Sequence, residues 1–429
     1  MITELSLGSS ACDRFLDRLA GRIQAPDPDM LARVETILAA VRTEGDAALC
    51  RFSEAFDGFK GPVTFLTPAD CQAALEGLDP GLQAALDKAA RHIRAFHERQ
   101  LTQGFVLDKG QGVRLEQRVL PLRRVGLYVP GGRAAYPSTV LMNAIPARIA
   151  GVEDLIVATP PGKEGLVNPM TLAACAVAGV DRVLLAGGAQ ACAALAYGTA
   201  SVPKVDKITG PGNAYVATAK RLLYGTVDID MIAGPSEIVI VAEAGVHPAW
   251  LAADLLGQCE HDPQAAGILI TPDADLARAV RLAVADQVSR APRAAIIKEA
   301  LANYSAIIVT QDLDAALALA NDLAPEHLEL VGEGPESRLD QVRHAGSVFL
   351  GPYTPEAVGD YMAGTNHVLP TGGTARFFSP LGVEDFTRRM QVSRYSRAAL
   401  AADAPAILAF AEAEGLYAHG RSVEIRRED

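Results

Sequence analysis

The chain has 429 residues, more than one hydrophobic core usually organises, so two or more domains are expected. Hydrophobic residues make up 49% and charged residues 21%, which is typical of soluble globular proteins. The formal net charge is −12 and no basic run is present, which argues against nucleic-acid binding. The sequence has no apolar run long enough for a bilayer and no secretion signal, so we expect a cytoplasmic protein without a membrane anchor.

Six cysteines are spread along the chain, and none forms a C-x-x-C pair. Their surroundings are rich in Ala and Leu, which predicts reduced and mostly buried thiols, as in cytoplasmic proteins. They are Cys12, Cys50, Cys71, Cys175, Cys192 and Cys259.

Helical patterns dominate the first 124 residues. Residues 1–25 predict a short N-terminal arm or helix. Residues 29–56 and 68–103 carry apolar side chains at helical spacing, and residues 113–121 alternate like a strand.

From Arg124 onward, short apolar runs alternate with helical segments, which indicates βαβ units around parallel sheets. Strands are predicted at 125–129, 154–159, 182–186, 205–209, 238–242, 267–271, 306–310, 328–331 and 347–350. Helices are predicted at 168–179, 190–199, 248–260, 274–288 and 313–323. Residues 380–429 lack this alternation and predict a helical appendage.

Glycine-bearing loops follow several predicted strands of the first α/β series. Ligands of open parallel sheets bind at the carboxyl ends of strands, where Gly lets the backbone approach a phosphate. The same loops are also compatible with ordinary tight turns, and the G-x-G-x-x-G fingerprint is absent. The loops are 130–132, 187–188, 210–212 and 234–235.

The helix predicted to begin near Pro248 and end before Pro263 carries two polar residues near its end. Gln258 and His261 are three apart, so a helix would place them on one face. A His in this position is often structural, and a metal ligand is the alternative. Cys259 lies off that face and is interpreted as a packing thiol.

Three further segments carry residues with matching chemistry. Glu326 and His327 could supply two proton-transfer groups, although on spacing alone an exposed loop pair is the more ordinary interpretation. Asp360 is either an oxygen ligand or a turn residue. Glu414 and His419 flank a predicted helix end, and His419 is either a ligand or a solvent-facing residue.

The combined set of Gln258, His261, Asp360 and His419 offers nitrogen and oxygen donors. Such a set suits zinc with open positions for a substrate. A closed structural zinc site would more often use Cys, and the cysteines here are dispersed.

At these residues the chain resembles the histidinol dehydrogenase family of zinc- and NAD-dependent enzymes. The matching motifs follow the family's order over nearly the whole chain, and together they are highly specific. They are VGLYVPGG at 125–132, GPGN at 210–213, AGPSE at 233–237, QCEH at 258–261, PEHL at 325–328, GDYMAGTNHVLP at 359–370, and Glu414 with His419.

The resemblance implies roles for particular residues. The implied ligands of one zinc ion per subunit are Gln258, His261, Asp360 and His419. The implied NAD contacts are Tyr128, Gln190 and Asn213. Substrate would be held by the zinc ligands together with Ser236, His327 and Glu414. Glu326 and His327 would be catalytic.

The fold implied by the resemblance is α/β, with two incomplete Rossmann-like domains, one inserted in the other, and small terminal helical pieces. We expect an N-terminal arm at 1–25, a first α/β domain at 26–124 and 238–379, and an NAD-contacting domain at 125–237. Residues 380–429 would be exchanged within a homodimer and complete the neighbour's active site. The missing G-x-G-x-x-G fits the family's atypical NAD site.

The implied reaction oxidises L-histidinol to L-histidine through a bound aldehyde, with NAD as the hydride acceptor. A branch that resembles this family oxidises dihydroxypropanesulfonate to sulfolactate, and residues 376–382 depart from the pattern of typical biosynthetic members. Glu414 and His419 suit an imidazole and an ammonium group, which favours histidinol. A zinc-stabilised binding protein without catalysis is the alternative from another class.

Overall fold

The computed structural model describes residues 2–22, 27–131, 136–162, 165–232 and 234–428. Two compact units are present. The first unit comprises Met1–Gln100 and Arg123–Phe386, and the second unit comprises Leu101–Leu122 and Thr387–Asp429. Among the described residues, no helix combines the length and apolarity required to cross a bilayer.

Helices and parallel strands alternate through most of the chain, which confirms the predicted α/β class. The strands are β1 Thr3–Ser6, β2 Phe65–Leu66, β3 Phe105–Gly110, β4 Val113–Pro121, β5 Arg124–Tyr128, β6 Asp154–Thr159, β7 Arg182–Leu185, β8 Lys207–Thr209, β9 Asp228–Ile229, β10 Glu237–Ala242, β11 Ala266–Thr271, β12 Ala306–Val309, β13 His327–Val331, β14 Ser347–Leu350 and β15 Thr387–Arg394. The α-helices are α1 Ser10–Ala20, α2 Pro28–Glu44, α3 Asp46–Asp57, α4 Pro68–Glu76, α5 Pro80–His97, α6 Pro137–Ala150, α7 Pro169–Ala178, α8 Gly188–Tyr197, α9 Ala214–Leu223, α10 Pro248–Cys259, α11 Ala274–Val288, α12 Ala294–Asn303, α13 Leu313–Leu323, α14 Glu333–Glu336, α15 Glu356–Tyr361, α16 Arg397–Ala413 and α17 Tyr417–Glu428.

The first sheet has six parallel strands in the order β1-β12-β11-β10-β13-β14. Its central strand β10 is buried along its whole length. Continuous apolar runs of this kind are expected where helices cover both faces of a parallel sheet. The predicted strands between 238 and 350 are therefore confirmed as one sheet, and β1 adds a strand from the predicted N-terminal arm.

The second sheet has the order β2-β7-β6-β5-β8-β9, with β2 antiparallel and the other strands parallel. Its core includes Val34 and Leu38 of α2 and Leu49 of α3. Strand β2 and helices α2 and α3, from the range predicted to join 238–379 in one domain, therefore pack with the second sheet. Helical periodicity indicates that a helix has an apolar face, but it does not indicate which sheet that face covers. The outer boundaries of the domains stay a prediction.

The second unit contains an antiparallel sheet in the order β15-β4-β3, followed by α16 and α17. Residues 380–429 are thus not entirely helical, since β15 pairs with β4 along eight residues. The segment TRRMQVSR is mostly polar and has little of the β-branched and aromatic content that marks strands, so its pairing was not visible in the sequence.

Candidate active site

A buried Glu-His pair lies at the amino end of β13 in the first sheet. Glu326 is 6% exposed and His327 is 4% exposed, so the interpretation of this pair as an exposed loop is wrong. The neighbouring strand β10 runs parallel, with Ile238 beside His327. This register brings Ser236 and Glu237, at the start of β10, next to the pair.

The His327 ring is held as a neutral base. Its Nδ1 lies 2.9 Å from Gln258 Oε1 and 3.3 Å from the carbonyl oxygen of Glu237. A carbonyl oxygen only accepts, so Nδ1 carries the proton and Nε2 keeps a free lone pair. Burial lowers the pKa of His327 to about 3, which keeps the ring uncharged at neutral pH.

The Glu326 carboxyl group is bound by two groups from the start of β10. Its Oε2 accepts the main-chain N–H of Glu237 at 3.2 Å, and the Ser236 hydroxyl donates to the same side chain. Burial, followed by the nearby Glu237 carboxylate, raises the pKa of Glu326 well above its usual range. A raised pKa is the condition under which a carboxylate acts as a base near neutral pH.

A candidate cation site lies beside this pair. Ligand atoms of His261, Glu356 and Asp360 all lie within 4.8 Å of one another. His261 lies just past the end of α10, where its N–H donates to the Gln258 carbonyl at 3.2 Å. Glu356 and Asp360 are four apart on α15 and therefore share a face. Two of the predicted ligands, His261 and Asp360, are thus brought together, and Gln258 is next to them through its contact with His327.

The donor set fits a divalent cation. One oxygen of Glu356, Oε2, is buried and has no hydrogen-bond partner among the residues that the structure describes, and burial raises the pKa of Asp360 to about 6. Buried carboxylates that face one another without a counter-charge are what a bound cation would relieve. The sequence interpretation missed Glu356, although its spacing of four from Asp360 on a helix was a usable signal.

A second layer of carboxyl groups supports α15. Glu329 Oε1 accepts the main-chain N–H of Glu356 at 3.0 Å, and its side chain shares a hydrogen bond with Asp254. Burial raises the pKa of Glu329 to about 9 and that of Asp254 to about 6. Glu329 is therefore the protonated partner at neutral pH, and it holds the helix that carries Glu356 and Asp360.

A cavity of about 990 Å³ lies at the carboxyl ends of the second sheet, and it is lined by Tyr128, Gln190 and Asn213. The Tyr128 hydroxyl accepts the N–H of Gly188 at 3.1 Å. Gln190 Nε2 donates to Asp57 at 3.4 Å. The three residues expected to contact NAD therefore share one cavity, in the part of a parallel sheet where nucleotides commonly bind.

A buried ion pair shapes the loop that precedes Asn213. Gly210 has a φ of +106°, and a Cβ built there would lie 2.1 Å from the Tyr128 carbonyl oxygen, so this position requires glycine. Asp230 accepts the Gly210 N–H at 2.7 Å, and Lys220 Nζ donates to the Gly210 carbonyl at 3.0 Å. Lys220 and Asp230 also form an ion pair with each other.

Five further residues belong to the predicted motifs and candidate sites. Gly132 and Ala233, which belong to two of the quoted motifs, lie outside the described residues. Glu414 and His419 are exposed residues of the second unit, and their role in metal or substrate binding stays a prediction. Cys259 is buried, with its Sγ 3.5 Å from the Ser305 hydroxyl, as expected for a packing thiol.

The fold and the site define an α/β protein with the elements of a dehydrogenase: a large cavity at one sheet and a buried Glu-His pair at the other. The family model described as histidinol dehydrogenase matches residues 21–427, and the chain belongs to this family. The histidinol dehydrogenase of Syntrophotalea carbinolica is 51% identical over 431 residues and covers 100% of both chains. That of Moorella thermoacetica is 51% identical, covering 96% of this chain and 97% of its own.

A solved structure agrees with this assignment. The crystal structure of histidinol dehydrogenase from Elizabethkingia anophelis aligns with a TM-score of 0.92 at 34% sequence identity. The alignment covers 100% of this chain and 98% of that one. Both compact units therefore belong to the family's fold.

Glu329→Gln should change how stability depends on pH. Glu329 has a pKa of about 9 in the folded chain against an ordinary 4.5, so folding takes up a proton between these values. Stability is therefore lost as pH rises through that window. Gln needs no proton, so the variant should gain roughly 1 kcal/mol relative to wild type for each pH unit between about 5.5 and 7.5.

Urea unfolding of the metal-free protein at about pH 5.5 and about pH 7.5 measures this difference in the free energy of unfolding. The exposed Glu333, at the start of α14, is the matched control, and Glu333→Gln should show the same stability difference at both pH values. An equally constant difference for Glu329→Gln would mean that Glu329 is ionised in the folded chain.

Proposed function

We propose that this protein oxidises L-histidinol to L-histidine through a bound aldehyde, the last step of histidine biosynthesis. The observation that carries the proposal is the neutral His327 ring, buried beside Glu326 and joined through Gln258 to the candidate cation site. The relatives at about half identity are named histidinol dehydrogenase, which supports the same substrate.

The cavity at the second sheet is the proposed NAD site. Its volume of about 990 Å³ lies at the upper end of the range for small-molecule sites, as a dinucleotide would require. NAD would accept the hydride in each of the two oxidations. Tyr128, Gln190 and Asn213 are the residues proposed to hold it.

Zinc is the proposed ion, held by Gln258, His261, Asp360 and His419. The first three lie in the first unit, where the nitrogen and oxygen donors suit zinc with positions left for a substrate. Bound there, zinc would mainly hold the imidazole and amine of histidinol and would contribute less to direct activation of the alcohol.

The two catalytic side chains divide the proton transfers. His327 Nε2 would take the hydroxyl proton as the alcohol carbon loses its first hydride. Glu326 would take a proton from water as the water oxygen bonds to the aldehyde carbon. The resulting hydrate anion would transfer the second hydride to NAD, leaving the carboxylic acid. Ser236, which binds Glu326, would also contact the substrate.

The charge of the site favours histidinol over dihydroxypropanesulfonate. Glu326, Glu356 and Asp360 cluster around His327, and together they provide carboxyl groups where a sulfonate would need cations. An ammonium or imidazole group is the complementary partner of such a cluster. Glu414 would add a further carboxylate to this set.

A homodimer with shared active sites is the proposed assembly. The second unit exposes several large apolar side chains, which is common where a surface binds another chain. They are Phe105, Leu107, Val392, Phe410 and Tyr417. His419 and Glu414 of this unit would then complete the site of the partner subunit. A cytoplasmic location fits the six cysteines, which are all free thiols.

Purified protein should reduce two NAD for each L-histidinol, and it should not oxidise dihydroxypropanesulfonate. Removing the metal with a chelator should abolish turnover while circular dichroism still reports a folded chain. Turnover of the sulfonate alone would contradict the substrate assignment. No NAD reduction with either alcohol, combined with unfolding on chelation, would favour the zinc-stabilised binding protein.

His327→Asn and Glu326→Gln should affect different oxidations. His327→Asn should slow the alcohol step about a hundredfold, because the base is lost. Glu326→Gln should slow aldehyde oxidation by about the same factor and largely spare the alcohol step. Stopped-flow measurement of NADH with histidinol or histidinaldehyde separates the steps, and Glu333→Gln is the control. Equal losses in both steps for Glu326→Gln would rule out its role in activating water.

Mixed dimers of His261→Ala and His419→Ala chains should recover activity. If His419 completes the partner's site, each mixed dimer contains one intact site and should have about half the wild-type rate. Each variant alone should be nearly inactive. A mixed dimer of His261→Ala and Asp360→Ala chains is the control, because both ligands come from the same chain and no intact site can form. Equal inactivity of both mixed dimers would show that the site is not shared.

A further inference from the structure

A buried arginine from the N-terminal segment lies against the start of β10. Arg22 follows α1, and its side chain is 3% exposed. Its Nη2 donates to Glu237 Oε2, and its Nη1 donates to the carbonyl oxygens of Gln264 at 2.8 Å and Ser236 at 3.3 Å. The guanidinium group therefore binds one carboxylate and two main-chain segments next to the Glu-His pair.

The Glu237 carboxylate contacts Arg22 through one oxygen and Glu326 through the other. Its second oxygen, Oε1, accepts the main-chain N–H of Glu326 at 3.2 Å and that of Gly372 at 2.7 Å. In return, the N–H of Glu237 donates to Glu326 Oε2 at 3.2 Å. Glu237 and Glu326 therefore hold each other by reciprocal hydrogen bonds between two adjacent strand starts.

Two carboxyl groups so close together and so deeply buried would repel each other if neither had a counter-charge. Arg22 supplies a positive charge to Glu237 on the side that its contact with Glu326 leaves open. Glu237 can then stay in place as an acceptor for the Glu326 N–H. The orientation of the Glu326 carboxyl group depends on this arrangement, since one of its own contacts is the Glu237 N–H.

We propose that Arg22 and Glu237 are positioning residues for the Glu326 carboxyl group in the aldehyde oxidation. This inference rests on the proposed function, in which Glu326 takes a proton from the water that adds to the aldehyde. Neither residue touches the reacting atoms. Loss of the Arg22 charge would let Glu237 and then Glu326 rotate, and a misplaced base loses rate without losing substrate binding.

A purely structural role for Arg22 is the competing explanation, because its contacts with Ser236 and Gln264 also join the starts of β10 and β11. The two roles differ in what they affect. Loosened strand ends would disturb substrate affinity and both oxidations, because Gln258 and His327 lie in the same region. A misplaced Glu326 would lower kcat for the aldehyde alone.

The test compares Arg22→Met, Arg22→Lys and Glu237→Gln as full-length enzymes supplied with zinc and NAD. Arg22→Met should lower kcat for histidinaldehyde about tenfold or more, with KM and the alcohol step within about threefold of wild type. Arg22→Lys should recover part of the aldehyde rate, since an ammonium group restores the charge on Glu237. Glu237→Gln keeps an acceptor oxygen but loses the charge, and it should resemble Arg22→Met.

Arg281→Met is the matched control, because Arg281 pairs with Glu4 of β1 in the same unit but does not contact the Glu-His pair. It should leave both steps unchanged. Thermal melting shows whether each variant is folded. If Arg22→Met does not fold, the two single variants Arg22→Lys and Glu237→Gln test the proposal. Equal losses in the two steps, or a change confined to KM, would overturn the positioning role alone. A wild-type enzyme that oxidises neither substrate would overturn the proposed function as well.

Discussion

The site depends on keeping an imidazole and several carboxyl groups inside a folded core. Burying a charged group is costly, so such groups change their pKa or find a partner. His327 does the first, because its ring is neutral and its Nδ1 proton is bound by a carbonyl oxygen. Glu237 does both, because burial raises its pKa while Arg22 supplies a counter-charge that lowers it. Burial raises the pKa of Glu326, and the neighbouring Glu237 carboxylate raises it further.

The cavity and the Glu-His pair lie at opposite ends of the strands in their two sheets. The cavity of the second sheet lies at the carboxyl ends of its strands, where parallel-sheet proteins commonly bind nucleotides. The Glu-His pair of the first sheet lies at the amino ends, where β10 and β13 begin. Main-chain N–H groups at a strand start are not all used by the sheet, and here those of Glu237 and Glu326 bind carboxylates instead.

Apolar runs were sufficient to predict the buried parallel strands of both sheets, because such strands are continuous apolar segments, but not the short strands β1, β2 and β9. The apolar pattern could not assign α2 and α3 to a sheet or identify β15, whose residues are mostly polar. The proposed catalytic pair, Glu326 and His327, and two residues of the candidate cation site, His261 and Asp360, were singled out through motifs. The roles of Glu237 and Arg22 were not predicted, because both residues act through tertiary contacts that the sequence does not show. Glu356 could have been found from its spacing of four from Asp360 on one helix.

The two halves of the site differ in how completely the first unit builds them. Glu326 and His327 have partners from the same unit on several sides, including Ser236, Glu237 and Gln258. The candidate cation site is different, since His261 is exposed, Asp360 is half-buried and one oxygen of Glu356 has no hydrogen-bond partner within the described part of the chain. A base must be held rigidly before the substrate arrives, whereas ligands become ordered when the ion binds. The candidate cation site can therefore accept an additional ligand, such as the proposed His419 of a second chain. The Glu-His pair already has its partners within the first unit.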